Sequence, residues 1–268
     1  HNIGQRNLLG ICLWRFVDEG VPTIVLPRAA LSTLVYPAPN LRPIGDLDLL
    51  IHAHNQTRAE ALLAAIQIEQ PSVPYLGPWG INQIKLHQQI ATARSARLRS
   101  QAGATATVPP AADVWQRAHA VEIEAVPTRV LSHADLLLQL ALQFAEAPKA
   151  NDHVRILCDI AETCRRYEHE IDWERLAALA EHYQVTKQVG AALYVALELA
   201  GAAVPPLIVA GWRLARKGQT ALRRFAARLL EQPQRVPITR TGRPNAPPMA
   251  ALPPTVAPTK ATHDPGQL

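Results

Sequence analysis

Residues 40–54 read NLRPIGDLDLLIHAH (Asn40–His54), and the fold turns on how this stretch is taken. Leu47, Leu49, Leu50 and Ile51 give it the composition of a buried strand over Asp46–His52. In a strand, residues two apart project from one face, so Asp46 and Asp48 stand side by side. Two carboxylates in such apolar company are costly unless they are paired or bound to a cation. The stretch therefore predicts a partner opposite them.

Working outward, the flanking segments supply more strands and helices. Asn2–Glu19 carries apolar residues with a helical period and ends before Gly20. Thr23–Leu26 reads as a short buried strand and Arg28–Val35 as the helix after it. Beyond the quoted stretch, Thr57–Ile68 reads as a helix and Ile81–Ile90 alternates as a half-exposed strand. An arginine-bearing loop over residues 93–110 precedes two strand fragments around a turn at Val121–Leu131. From Ser132 the pattern becomes helical. Ser132 and Asp135 match a capping box ahead of LLLQLALQFA, and Val154–Tyr167, Trp173–Tyr183, Thr186–Leu199 and Pro205–Arg216 repeat the helical period. Asp172 suits the N-cap before Trp173, and Pro205 suits a first turn. The expected fold class is α+β: a mixed α/β domain with a small sheet (residues 1–131), then a helical domain (132–231). Residues 232–268 hold nine of the 23 prolines and are expected to form a disordered tail.

Composition narrows the partners. The net charge of +5 is concentrated at the C-terminal end. Arg213–Glu231 holds six Lys/Arg against one Glu, and residues 232–268 hold four against one Asp, which leaves residues 1–212 net acidic. A nucleic-acid footprint across the whole chain is absent. The basic helix Arg213–Arg228, interleaved with Leu214, Leu222 and Phe225, reads first as a terminal helix packing its apolar stripe. Its rival role is contact with an acidic partner, RNA or a membrane surface. No apolar run approaches the ~20 residues of a membrane span. Three cysteines without CxxC spacing argue against a disulfide framework, and the N-terminal residues lack a signal-peptide layout. A cytoplasmic setting is expected.

A D-x-D pair on a strand offers hard oxygen ligands to Mg²⁺, which usually shares them with substrate phosphates. The same pair is equally served by a salt bridge to Arg42. The run Thr23–Ile51, with strand, helix, Pro-rich loop and D-x-D strand, resembles an uncharacterised bacterial family of nucleotidyltransferases within the DNA-polymerase-β-like superfamily. Segments 114–145 and 155–185 look like later parts of that family, so the likeness covers about residues 1–212.

The resemblance implies transfer of a nucleoside monophosphate from an NTP to an acceptor, which is a small molecule, a peptide or a protein. It assigns Asp46 and Asp48 as catalytic residues and ligands of Mg²⁺, the implied cofactor. Arg28, Arg42 and Lys85 are the candidate nucleotide-binding residues, with Arg42 equally placed to fix its loop onto Asp46 or Asp48. Two positions depart from the family's pattern. Pro27-Arg28 stands where the family has Lys-Gly, which removes a backbone N–H from a phosphate cradle. Lys85, two residues before His87, stands where the family has a third carboxylate. The alternative function is therefore a degenerate member acting as a binding or accessory protein, with Lys85 neutralising the aspartates.

Other candidates carry less. Asp48, His52 and His54 have the spacing of a transition-metal site, although histidines at a strand end usually face solvent. Cys158 is expected in the helical core, and Asp159 with His153 in a helix-surface ion pair. P-loop, Rossmann and G-x-S-x-G patterns do not occur.

Overall fold

Helix α1 (Asn2–Asp18) leads into strand β1 (Thr23–Val25), helix α2 (Pro27–Leu34) and strand β2 (Leu47–Ile51) in the computed structural model, which describes residues 2–69, 84–90, 111–147 and 150–211. Helix α3 (Gln56–Glu69), strand β3 (Ile84–His87), helix α4 (Ala111–Arg117) and the strands β4 (His119–Ile123) and β5 (Val126–Val130) come next. Helices α5 (His133–Glu146), α6 (Ala150–Arg166), α7 (Trp173–His182), α8 (Thr186–Ala200) and α9 (Pro206–Gly211) follow. The arginine-bearing loop at 93–110, the basic helix Arg213–Arg228 and the Pro-rich segment 232–268 lie outside the described residues.

The α+β reading holds: one five-stranded mixed sheet is accompanied by helices. Its order is β3-β2-β1-β5-β4, with β2–β3 and β1–β5 parallel and β1–β2 and β4–β5 antiparallel. Alternation along the strands separates two apolar clusters. Leu47, Leu49 and Ile51 of β2 pack with Leu8, Leu13 and Phe16 of α1 and with Ala59 and Ile66 of α3. Ile24 and Leu50 point the other way, into a cluster with Leu137, Leu140, Ile160 and Leu193 of the helical segment. The helices after residue 131 thus share a core with β1 and β2. Among the described residues, no helix is long and apolar enough to cross a membrane.

Local chemistry sets the element ends. Pro27 opens α2, where its missing N–H costs nothing. Ser132 caps α5 by accepting the Asp135 amide at 3.2 Å, and Asp172 caps α7 by accepting the Arg175 amide at 2.8 Å. Gly201 ends α8 at φ +63°, the left-handed conformation glycine adopts readily. Helix α4 goes unsignalled in the sequence because seven residues hold too few turns to show a period. It is fixed instead by Arg117, whose Nε and one terminal nitrogen each donate to Asp135 at 2.8 Å. That pairing raises the arginine's pKa further.

Candidate active site

Asp46 and Asp48 sit at the start of β2, on the face that also carries Leu50 and looks toward α5. Gly45, at φ +66°, turns the chain into the strand just before Asp46, and Gln5 of α1 donates to its carbonyl at 2.9 Å. The loop leading there is held from below. Arg42 is buried and forms a two-pronged ion pair with Asp159 of α6, from Nε at 2.7 Å and from a terminal nitrogen at 2.9 Å. Its other terminal nitrogen donates to the Pro43 carbonyl. Tyr36 donates to the same Asp159 carboxylate at 2.9 Å; burial, reinforced by the Asp159 charge, raises the Tyr36 pKa strongly.

This arrangement corrects two expectations. Arg42 neither faces the site nor pairs with Asp46 or Asp48: it reaches down to α6, and the loop it belongs to is fixed there. Asp159 is not in a helix-surface ion pair, because it is buried beneath that loop. His153 packs edge-on against Phe144 instead. Cys158 is exposed, one position round the helix from the buried face that holds Asp159; Cys12 and Cys164 are the buried thiols, each pushed up to about 12 by burial.

The register of β2 with β3 sets Lys85 directly opposite Asp48 and His87 opposite Leu50. Lys85 Nζ lies 2.5 Å from Asp46 Oδ2, and His87 Nε2 lies 2.8 Å from Asp48 Oδ1. Arg28, in the first turn of α2, stands 3.8 Å from Asp46 and 3.9 Å from Asp48. The sequence-predicted residues Asp46, Asp48, Arg28 and Lys85 are thus brought together, and Arg42 is not among them. His87 is added.

A pocket of about 420 Å³ opens over this cluster, within the size range of small-ligand sites. Pro27, Arg28, Asp48, Lys85 and His87 form its sheet-side wall. Gln139, Gln143 and Glu146 of α5 and Asp152 and Arg155 of α6 form the other. The three α5 residues are spaced four and three apart, so they make one polar stripe along the helix beyond its first turn. That stripe is visible in LLLQLALQFAE, and sequence reasoning missed it by counting only the apolar positions.

Mg²⁺ asks a protein for one or two carboxylates and takes its remaining oxygens from phosphate and water. Asp46 and Asp48 meet that demand for a single ion. On β3 the residue opposite Asp48 is Lys85, so among the described residues that strand supplies no third carboxylate. The Asp48–His52–His54 combination is not assembled: His52 stacks on Trp115 at 4.0 Å and on His54 at 5.3 Å. Among the described residues, no three His, Cys, Asp or Glu side chains converge as a metal site.

A family model described as an uncharacterised nucleotidyltransferase matches residues 1–201 of the 268. No curated protein and no solved structure matches the chain.

Proposed function

The chain belongs to the uncharacterised nucleotidyltransferase family, and on that premise we propose that the pocket over Asp46 and Asp48 binds a nucleoside triphosphate and directs its nucleoside monophosphate to an acceptor. The observation carrying this reading is the convergence of a carboxylate pair with Arg28 and Lys85, of which Asp48, Arg28 and Lys85 line one side of a pocket of about 420 Å³. Asp46 and Asp48 would hold one Mg²⁺, which when bound supplies positive charge to the phosphate oxygens. Arg28 and Lys85, each about half exposed, are within reach of the phosphates as charge donors. They take over what the backbone at Pro27 cannot give, since proline has no N–H. His87 holds the Asp48 carboxylate in place from β3.

Isothermal titration of the full chain with ATP, CTP, GTP and UTP, each with Mg²⁺, tests binding, and pyrophosphate release with candidate acceptors tests transfer. At least one nucleotide is expected to bind, and Asp46→Asn with Asp48→Asn to abolish transfer. Folded protein that binds none of the four sinks the proposal. A second reading, a nucleotide-binding accessory protein without transfer, is favoured by the contact of Lys85 with Asp46. It predicts nucleotide binding with no pyrophosphate release under any acceptor tried.

A further inference from the structure

Asp48 lines the pocket, Asp46 shares Lys85 and Arg28 with it, and the chain thus sets two cations against two negative charges. Lys85 Nζ is 2.5 Å from Asp46, and the Arg28 guanidinium is within 3.9 Å of both carboxylates. At this pair a bare divalent cation meets carboxylates already faced by Lys85 and Arg28. To reach Asp46 it displaces the Lys85 ammonium and adds two positive charges beside Arg28 and Lys85; Glu146 and the Arg155-paired Asp152 stand on the opposite wall, and a triphosphate brings negative charge to the added cation directly. Lys85 is free to give way: it is 46% exposed, and β3 positions its backbone while its long side chain swings. The direction it swings toward is the pocket, whose wall it already forms.

We infer that Lys85 and a divalent cation are alternative partners of Asp46, so that the metal enters only together with a triphosphate and the triphosphate binds without metal. With no ion present, Lys85 screens the carboxylates and Arg28 and Arg155 line the phosphate path. When metal-bound nucleotide enters, Lys85 leaves Asp46 for a phosphate oxygen. This inference rests on the pocket being a nucleotide site, and it adds to that reading the order and metal dependence of binding.

The test crosses two ligands with one substitution. Mn²⁺ alone and each of the four NTPs in excess EDTA are titrated into wild-type, Lys85→Met and Lys85→Arg proteins, with circular dichroism confirming the fold. Wild type is expected to bind Mn²⁺ alone weakly and to bind its preferred NTP in EDTA within about fivefold of its affinity in Mg²⁺. Lys85→Met should shift the two in opposite directions, binding Mn²⁺ about tenfold more tightly and the chelated NTP about tenfold more weakly. Lys85→Arg, which keeps the charge, should bind the chelated NTP as wild type does. A merely structural lysine would not tighten one ligand while loosening the other. Mn²⁺ affinity unchanged by Lys85→Met overturns the inference, as does NTP binding that requires Mg²⁺. Failure of all four NTPs with and without Mg²⁺ overturns the nucleotide reading itself, and the Mn²⁺ titration still decides the competition for Asp46.

Discussion

Arg42 shows how far a single residue can stand from its apparent role. Its position four residues before Asp46 suggests a contact with the carboxylate pair or with phosphate, and its actual partner lies 117 residues away on α6. Spacing along the chain reports what shares a strand face; it does not report which buried charge will come to meet an arginine. Lys85 was legible because its half-exposed strand resembles the family's segment that carries a third carboxylate. Arg42→Met leaves the buried Asp159 without its cation, and urea denaturation should record a loss of about 3–5 kcal/mol. Replacing both partners, as Arg42→Met with Asp159→Leu, should recover part of that loss. His133 provides a pH-dependent counterpart. It is buried at the start of α5, stacked on Tyr167 at 3.9 Å and edge-on to His119, and burial lowers its pKa from 6.5. The unfolded chain therefore binds this proton at a higher pH than the folded one. The stability it contributes is present above pH 6.5 and is lost as pH falls toward the lower folded value. Denaturant midpoints measured at pH 7.5 and 5.5 should separate less in His133→Gln than in wild type.

At the scale of elements, most of the fold could be read. The strands around Asp48 followed from composition and alternation, and the caps at Ser132 and Asp172 followed from side-chain chemistry confined to four residues. What escaped was short. Helix α4 lacks the length to show a period, and its anchor Asp135 belongs to another helix. The β4–β5 turn, read from the sequence within Val121–Leu131, is made by Glu124 and Ala125 at φ 51° and 61°, although Asn-Gly would be the usual signal. Glu124 is held there by Arg6 of α1 at 2.5 Å, so a tertiary ion pair compensates for unfavourable turn chemistry. Ala125→Gly removes one left-handed Cβ without touching that pair. Thermal unfolding should show a gain of up to about 1 kcal/mol, the backbone relief exceeding the extra entropy of the unfolded glycine.

For the molecule as a whole, the pocket is the feature that sequence could not supply, because its walls come from segments more than 50 residues apart that meet only when β2 and α5 share a core. That sharing has a thermodynamic signature. Leu137 is fully buried in the cluster joining Ile24 and Leu50 to α6 and α8, and Leu137→Ala should cost about 2–5 kcal/mol. Near- and far-ultraviolet circular dichroism should still trace one coincident transition, since both segments lose the same core; separated transitions would show that they fold apart. The strand order carries a last consequence. Among the described strands, β3 is an edge, four residues long and bonded on one side to β2, whereas β1 is bonded on both sides. Free energies of local opening are lowest where a segment has few neighbours. Hydrogen exchange should accordingly find the amides of Ile84–His87 trading with solvent well before those of Thr23–Val25. The aspartates thus ride on the inner framework, while the ammonium that screens them is mounted on an edge strand, which opens more readily.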